Sequence, residues 1–149
     1  MIHDKKQGYR HQANKNRSAE QDIDQKNLVI KELRKLGINA VGLTKNIYLR
    51  DKQTSKVTIT SEAHMLVTPE TFEKYFVRFP DLYVPSKDII IEIDGSAHGE
   101  PGFETDDTLS RNMEYELGGH TIQNGKLIIL QVADLDNLES ILRERLKID

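Results

Sequence analysis

The sequence contains no cysteine, which excludes a disulfide scaffold, a thiolate zinc site, an iron–sulfur cluster and a cysteine nucleophile. It also has no apolar run that approaches the ~18 residues of a membrane span. The stretch from Met1 to Lys15 is polar and charged rather than apolar like a signal peptide. We therefore expect a protein that does not enter the membrane and is cytoplasmic.

Several catalytic and nucleotide-binding signatures are missing as well. The chain has no phosphate-loop or Rossmann glycine pattern, no G-x-S-x-G elbow and no H-E-x-x-H zinc helix. Its tyrosines and phenylalanines are too scattered to predict a stacking platform for single-stranded nucleic acid. The sequence therefore gives no support to these common enzyme classes.

The composition is typical of one globular domain of 149 residues, with 37% hydrophobic and 30% charged residues. The net charge of -3 conceals a basic segment near the start of the chain. Its basic residues, with no acidic residue among them, are Lys5, Lys6, Arg10, His11, Lys15 and Arg17. We predict a flexible basic arm over residues 1–17, which is either a solvated terminus or a phosphate-binding tail, and a folded domain over residues 18–149.

Hydrophobic periodicity predicts a mixed α/β domain with a central sheet. The predicted helices run from about Ala19 to Leu36, from a Thr68 cap through Phe76, from Asp106 to Leu117, and from Leu135 onward. The predicted strands cover residues 39–43, 47–50, 56–60 and 126–132, and a hairpin surrounds a turn at 85–88. In the third helix, the spacing of Leu109, Met113 and Leu117 predicts the buried face.

Carboxylates cluster on the predicted hairpin. The four-residue turn places Asp81 opposite Glu92 on neighbouring strands, where Cβ atoms lie roughly 4.5–5.5 Å apart. Asp94 shares the face of Glu92 because alternate strand residues point the same way. This pattern indicates either a divalent cation among the carboxylates, for which Mg²⁺ or Mn²⁺ is best suited, or a wrong register with separately solvated side chains.

The same stretch resembles the PD-(D/E)xK arrangement of the restriction-endonuclease-like nuclease superfamily, with Pro80-Asp81 followed by Glu92-Ile93-Asp94. The closest resemblance in pattern is to the branch around the very short patch repair endonuclease. The further matching pieces are Ile90 to Gly95, His98, Arg111 with Tyr115, Gly118-Gly119 and Leu127 to Val132. The resemblance implies a three-layer α/β fold in which helices flank a central mixed β-sheet.

The resemblance also implies roles for single residues. Asp81 would be the central metal ligand, Glu92 the second, and the backbone carbonyl of Ile93 a third. Asp94 stands where the family has a lysine that positions or activates the attacking water, so another group must handle the proton. His98, four residues further on, is the candidate, with an ordinary loop histidine as the alternative. The expected catalytic set is thus Asp81, Glu92, Asp94 and His98.

Two further family positions fall on helices. The family places an acidic residue on the first helix, where Glu20, Asp22 and Asp24 are available and Asp24 is favoured; compensation of the helix dipole is the alternative. Arg111 and Tyr115 lie four residues apart and share a helix face. They indicate either a clamp on the substrate phosphate or an exposed arginine against an aromatic ring.

The residues and the resemblance together predict a Mg²⁺- or Mn²⁺-dependent endonuclease that hydrolyses DNA phosphodiester bonds, in repair, restriction or junction cleavage. The main alternative is a non-catalytic nucleic-acid-binding module on the same fold. A third class is a small interaction domain whose acidic patch is a coincidence of strand alternation. Many nucleases of this fold act as dimers, so the resemblance also makes a homodimer possible.

Overall fold

A computed structural model of the chain describes residues 5–95 and 106–148, with side chains from residue 20 onward. The α-helices in these ranges are α1 (Lys5–Lys35), α2 (Pro69–Lys74), α3 (Asp106–Leu117) and α4 (Leu138–Arg145), and a 3-10 helix spans Val132–Asn137. The strands are β1 (Asn46–Asp51), β2 (Val57–Ser61), β3 (Tyr75–Arg78), β4 (Leu82–Val84), β5 (Ile89–Asp94) and β6 (Leu127–Gln131). The predicted α/β class is confirmed. None of the helices in the described part of the chain has both the length and the apolar character needed to cross a membrane.

The described strands form two three-stranded sheets rather than the one central sheet that the sequence predicts. The first sheet is antiparallel in the order β2-β1-β3. In the second, β5 pairs antiparallel with β4 and parallel with β6. Helix α3 joins the two sheets, because the ring of its Tyr115 meets the ring of Tyr48 on β1 edge to face, with centroids 5.2 Å apart.

The second sheet is covered on both faces. Its first face packs against α1 and α4, and the buried residues there include Leu82, Ile91, Ile128, Leu130 and Leu142. On the opposite face, Ile90 and Leu127 pack against Tyr115 of α3 and Tyr48 of β1. Burial on both sides explains why β5 and β6 are almost continuous apolar runs in the sequence.

Helix α1 begins at Lys5, about four turns before the predicted start at Ala19. Most of the predicted arm at residues 1–17 is therefore assigned to this helix. The residues before Ala19 form no apolar stripe, so hydrophobic periodicity could not reveal them. The end of α1 is close to the prediction: Gly37 has a φ of +78°, and the Ile38 N–H donates to the Leu33 carbonyl at 3.0 Å.

Two predicted elements are wrong. Residues 39–43 form no strand beyond the isolated pairing of Val41 with Tyr83. The predicted second helix stops at Lys74, and the chain continues as β3 over Tyr75–Arg78 instead of remaining helical through Phe76. The sequence Tyr-Phe-Val favours an extended chain, and antiparallel pairing with β1 supplies the hydrogen bonds that the helix would otherwise provide.

Helix α3 has the predicted bounds but the opposite face is buried. Leu109, Met113 and Leu117 are 47%, 63% and 68% exposed. Glu114 and Tyr115 are buried instead. The reason is electrostatic: the buried face carries charged side chains whose partners lie on β1 and β5, and these partners are invisible to a count of apolar residues.

Candidate active site

The hairpin register that the sequence predicts is confirmed. Leu82 pairs with Ile91 in the ladder between β4 and β5. One position beyond the ladder, the Asp81 N–H donates to Glu92 Oε1 at 3.1 Å. In return, the Ile93 N–H donates to Asp81 Oδ2 at 2.9 Å. Each carboxylate is thus fixed by a backbone amide of the opposite strand, and the two acids converge as expected.

This pair of carboxylates is largely shielded from solvent, and two cations, Arg111 and Lys26, lie near it. Glu92 is only 4% exposed, whereas the Asp81 side chain keeps 28% of its surface accessible. Burial, and then the negative charge of Asp81, raise the pKa of Glu92 from 4.5 to about 8. Burial also raises the pKa of Asp81, against the opposing effects of the Ile93 N–H and of Lys26. The site therefore favours any added cation.

Asp94 lies on the same face of β5 as Glu92, but its carboxylate is paired with Arg111. Arg111 donates from Nη1 to Asp94 Oδ1 at 2.9 Å and from Nη2 to Asp94 Oδ2 at 3.0 Å, a bidentate pair. Arg111 Nη1 also lies 3.3 Å from Glu92 Oε2, and its Nε donates to Asn112 Oδ1. The donors of Arg111 thus serve the acidic cluster and the helix itself, rather than projecting freely toward a substrate phosphate.

Tyr115, the other residue predicted to contact substrate, is fully buried. Its hydroxyl donates to Glu92 Oε1 at 3.1 Å. Burial, followed by the nearby charge of Glu92, raises the pKa of the Tyr115 phenol, so the group remains a hydrogen-bond donor at neutral pH. Tyr115 therefore orients Glu92 from the interior and does not reach a substrate in this conformation.

Helix α1 brings a lysine to the acidic pair. Lys26 Nζ lies 3.9 Å from Asp81 Oδ1, and the negative charge of Asp22 raises the pKa of Asp81. Asp22 and Lys26 are four residues apart and share a helix face. Asp24, the favoured acid, is exposed and lies two residues from Asp22, on a different side of the helix. The structure brings Asp22 rather than Asp24 toward Asp81.

The sequence analysis missed Lys26, although the sequence contains a signal for it. Lys26 precedes Val29, Ile30 and Leu33 by three, four and seven residues, so it falls in phase with the apolar stripe that is buried in the core. A charged residue in that phase must either point at solvent beyond the core or face a partner. Here the partner is Asp81.

The donor set suits a cation that needs few carboxylates. Among the described side chains, of residues 20–95 and 106–148, no three acidic or histidine groups are arranged to hold a metal. The carboxylate of Asp94 accepts from Arg111 instead. Mg²⁺ typically takes one or two carboxylates, with waters and phosphate oxygens completing its shell. Asp81 and Glu92 meet that requirement. The Ile93 carbonyl as a third ligand stays a prediction, and His98 lies outside the described residues.

A cleft of about 450 Å³ opens beside Asp81 and is lined by residues that include Lys26 and Lys45. It gives the partly exposed Asp81 carboxylate a route to a ligand, while Glu92 stays behind it. Comparison of the chain with protein-family models, with curated proteins and with solved structures found no match.

Proposed function

We propose that this protein is a Mg²⁺- or Mn²⁺-dependent endonuclease that hydrolyses DNA phosphodiester bonds at Asp81 and Glu92. The observation that carries the proposal is the reciprocal hydrogen bonding that holds these two carboxylates together, with both pKa values raised, at the edge of a lysine-lined cleft. Two acids kept together at such a cost in desolvation and repulsion are typical of a functional site.

The proposal includes the layered fold of the restriction-endonuclease-like superfamily. Its support is the packing of α1 and α4 on one face of the β4-β5-β6 sheet and of α3 on the other. The β2-β1-β3 sheet is additional to this arrangement, and Tyr48 of β1 packs beside Tyr115 on the same face of the β4-β5-β6 sheet. A homodimer, which the resemblance implies, stays a prediction.

The side chains of Asp81, Glu92 and their neighbours have separate roles in binding and orientation. When bound, Mg²⁺ supplies Lewis-acid polarisation of the phosphodiester and lowers the pKa of a coordinated water. Asp81 and Glu92 would hold it, and Tyr115 keeps Glu92 in place by its hydrogen bond. Arg111 neutralises Asp94, so this third acid does not repel the phosphate.

Lys26 supplies the positive charge that the family motif would place at position 94. Its ammonium group lies beside the exposed edge of Asp81, where it can donate to a phosphate oxygen or to a water. His98 stays the candidate for proton transfer, as the sequence predicts. The departure at Asp94 is therefore matched by a lysine from a different element.

One observation favours the non-catalytic alternative, a nucleic-acid-binding module on the same fold. Arg111 already pairs with Asp94 and approaches Glu92, so the cluster is partly neutralised without a metal. This alternative predicts DNA binding that is indifferent to Mg²⁺, and no cleavage.

The deciding experiment incubates the full chain with supercoiled, linear, branched and single-stranded DNA in Mg²⁺, Mn²⁺ or EDTA. We expect products only with metal, and none from Asp81→Asn or Glu92→Gln. The matched control is Asp88→Asn, which changes a carboxylate at the other end of the same hairpin and should leave cleavage unchanged. Absence of cleavage by the folded wild type on every substrate, or full cleavage by both site variants, would reject the proposal.

A further inference from the structure

The cleft beside Asp81 has a composition that the metal site does not explain. Three apolar side chains on its walls are exposed: Ile23 at 55%, Leu43 at 77% and Phe79 at 38%. Lys26 and Lys45 lie among them. Exposed apolar groups gathered in one concave place, with cations at their edge, indicate a ligand that has both an apolar and an anionic part.

The walls of the cleft are held in place by hydrogen bonds. Val41 exchanges backbone hydrogen bonds with Tyr83 at 2.8 and 3.0 Å, which pins the segment before Leu43 to β4. The buried Asn46 side chain donates to the Val41 carbonyl at 2.9 Å and to the Pro80 carbonyl at 3.4 Å. A Cβ at Gly42 would overlap the Leu82 side chain, so only glycine permits this close approach. The cleft is therefore preformed.

The two lysines are positioned to bind phosphate. Lys45 Nζ lies 4.1 Å from the centre of the Phe79 ring, and its ion pair with Glu62 at 3.8 Å joins two side chains that are both half exposed. Such a pair contributes little and exchanges readily for a stronger anion. Lys26 also lines the cleft and lies beside Asp81. A strand whose scissile phosphate is at Asp81 would thus meet two cations in the cleft.

The size of the cleft selects between forms of nucleic acid. A volume of about 450 Å³ lies within the ~300–1,000 Å³ range of pockets that hold one drug-sized ligand. One unstacked base, lying against an aromatic ring, is a ligand of that size, whereas a length of intact duplex is far larger. Unstacking is least costly in single-stranded, mismatched or bulged DNA.

We infer that this cleft binds one unstacked nucleotide next to the scissile phosphate, with its base against Phe79 and its phosphate against Lys26 and Lys45. The inference rests on the proposed nuclease function and narrows its substrate: the protein acts on DNA that is single-stranded or locally unpaired, in preference to an intact duplex. Phe79 and Lys45 are then residues that determine specificity, distinct from the carboxylates that hold the cation.

The test measures binding of fluorescein-labelled DNA by the full chain in EDTA at one fixed salt concentration, so that cleavage does not interfere. The probes are a matched duplex, the same duplex with a one-nucleotide bulge, and a single strand. We expect the affinity for the bulged and single-stranded probes to be at least about tenfold higher than the affinity for the duplex. Phe79→Leu should remove about tenfold of the affinity for the bulge and leave duplex binding unchanged.

Phe76→Leu is the matched control, since Phe76 is another half-exposed ring with a cation over it: Arg50 Cζ lies 4.5 Å from its centre. It should leave binding of every probe unchanged. Lys45→Gln, which changes a half-exposed side chain, should reduce the dependence of the binding constant on salt by about one ion.

Equal binding of duplex and bulge, equal effects of Phe79→Leu and Phe76→Leu, or no DNA binding in EDTA would each overturn the inference. These outcomes are separable from a failure of the nuclease proposal. If the bulge binds as expected and no DNA is cleaved with Mg²⁺ or Mn²⁺, the hydrolytic function is wrong and the nucleotide site stands. If DNA is cleaved but Phe79→Leu cleaves and binds every probe as the wild type does, the nucleotide site is wrong.

Discussion

Two buried glutamates of this protein have similar neighbours and different surroundings. Glu92 accepts a hydrogen bond from Tyr115 and faces Arg111. Glu114 accepts a hydrogen bond from Tyr48 at 2.8 Å and faces Arg50. Each therefore has one tyrosine and one arginine, and both glutamates are less than a tenth exposed.

The difference lies in how the arginine is shared. Arg50 donates to both oxygens of Glu114, at 2.6 and 3.0 Å. Arg111 gives its bidentate contact to Asp94 and only its 3.3 Å approach to Glu92, which also faces Asp81. Glu114 is a satisfied structural ion pair that fastens α3 to β1. Glu92 lacks such a partner: burial and the charge of Asp81 raise its pKa to about 8, so ionisation of this carboxyl is disfavoured until a further cation is present.

The largest expected effect is the loss of cleavage on substitution of Glu92, a loss that the same substitution at Glu114 should not cause. Glu92→Gln should reduce metal-dependent cleavage by at least about a hundredfold, since it removes a charged ligand of the site. Glu114→Gln should leave the activity of the folded fraction within a few-fold of the wild type. Initial rates normalised to the folded fraction make the comparison. Equal losses in both variants would show that Glu92, like Glu114, is only structural.

Substitutions at the same two residues should affect thermodynamic stability in the reverse order: the loss should be large at Glu114 and absent at Glu92. Glu114→Ala leaves Arg50 without its buried partner and should cost about 3 kcal/mol in the free energy of unfolding. Glu92→Gln removes repulsion with Asp81 and should leave the metal-free stability unchanged or higher. Urea unfolding in EDTA measures both. A Glu92→Gln variant as destabilised as Glu114→Ala would contradict the account of Glu92 as a carboxyl that burial and Asp81 make unfavourable to ionise.

The pH dependence of stability tests the raised pKa of Glu92 directly. Because this pKa is about 8 in the folded protein and 4.5 as the ordinary value, the folded state binds more protons than the unfolded state between these pH values. The free energy of unfolding of the metal-free protein should therefore fall as pH rises from about 4.5 to about 8. Relative to the wild type, Glu92→Gln should gain stability over that range. A difference between the two proteins that does not vary with pH would be the contrary result.

The smallest expected effect concerns the cation that α1 contributes. Lys26→Met should lower cleavage by about tenfold while changing the free energy of unfolding by less than about 1 kcal/mol, because its ion pair with Asp81 is partly exposed. Lys31→Met, which removes an exposed lysine from the same helix, is the control. If the two variants cleave equally well, Lys26 has no role at the site.

The sequence predicted the parts of this site that depend on local geometry. A short turn at 85–88 determines which residues of β4 and β5 face one another, so the approach of Asp81 to Glu92 followed from counting along the chain. The predicted bounds of α3, Asp106 to Leu117, are those of the structure. These features need no knowledge of distant residues.

What the sequence could not predict depends on partners far apart in the chain. The burial of the charged face of α3 requires Arg50 and Asp94, which lie on two different sheets. The approach of Lys26 to Asp81 requires the docking of α1 on β4 and β5. A count of apolar spacing ranks Leu109, Met113 and Leu117 as core and has no means to recognise an ion pair as the reason for burial.

The docking of α1 also determines the direction in which the Lys26 side chain leaves the helix. Val29, Ile30 and Leu33 lock the helix against the β4-β5-β6 sheet, and Lys26 lies within one turn of that anchor. Each residue of an α-helix advances the side-chain direction by about 100°. The buried residues of α1 and Lys26 therefore keep a fixed angular relation. A single residue inserted between them would turn the ammonium group away from Asp81 even if every buried contact of the core were kept.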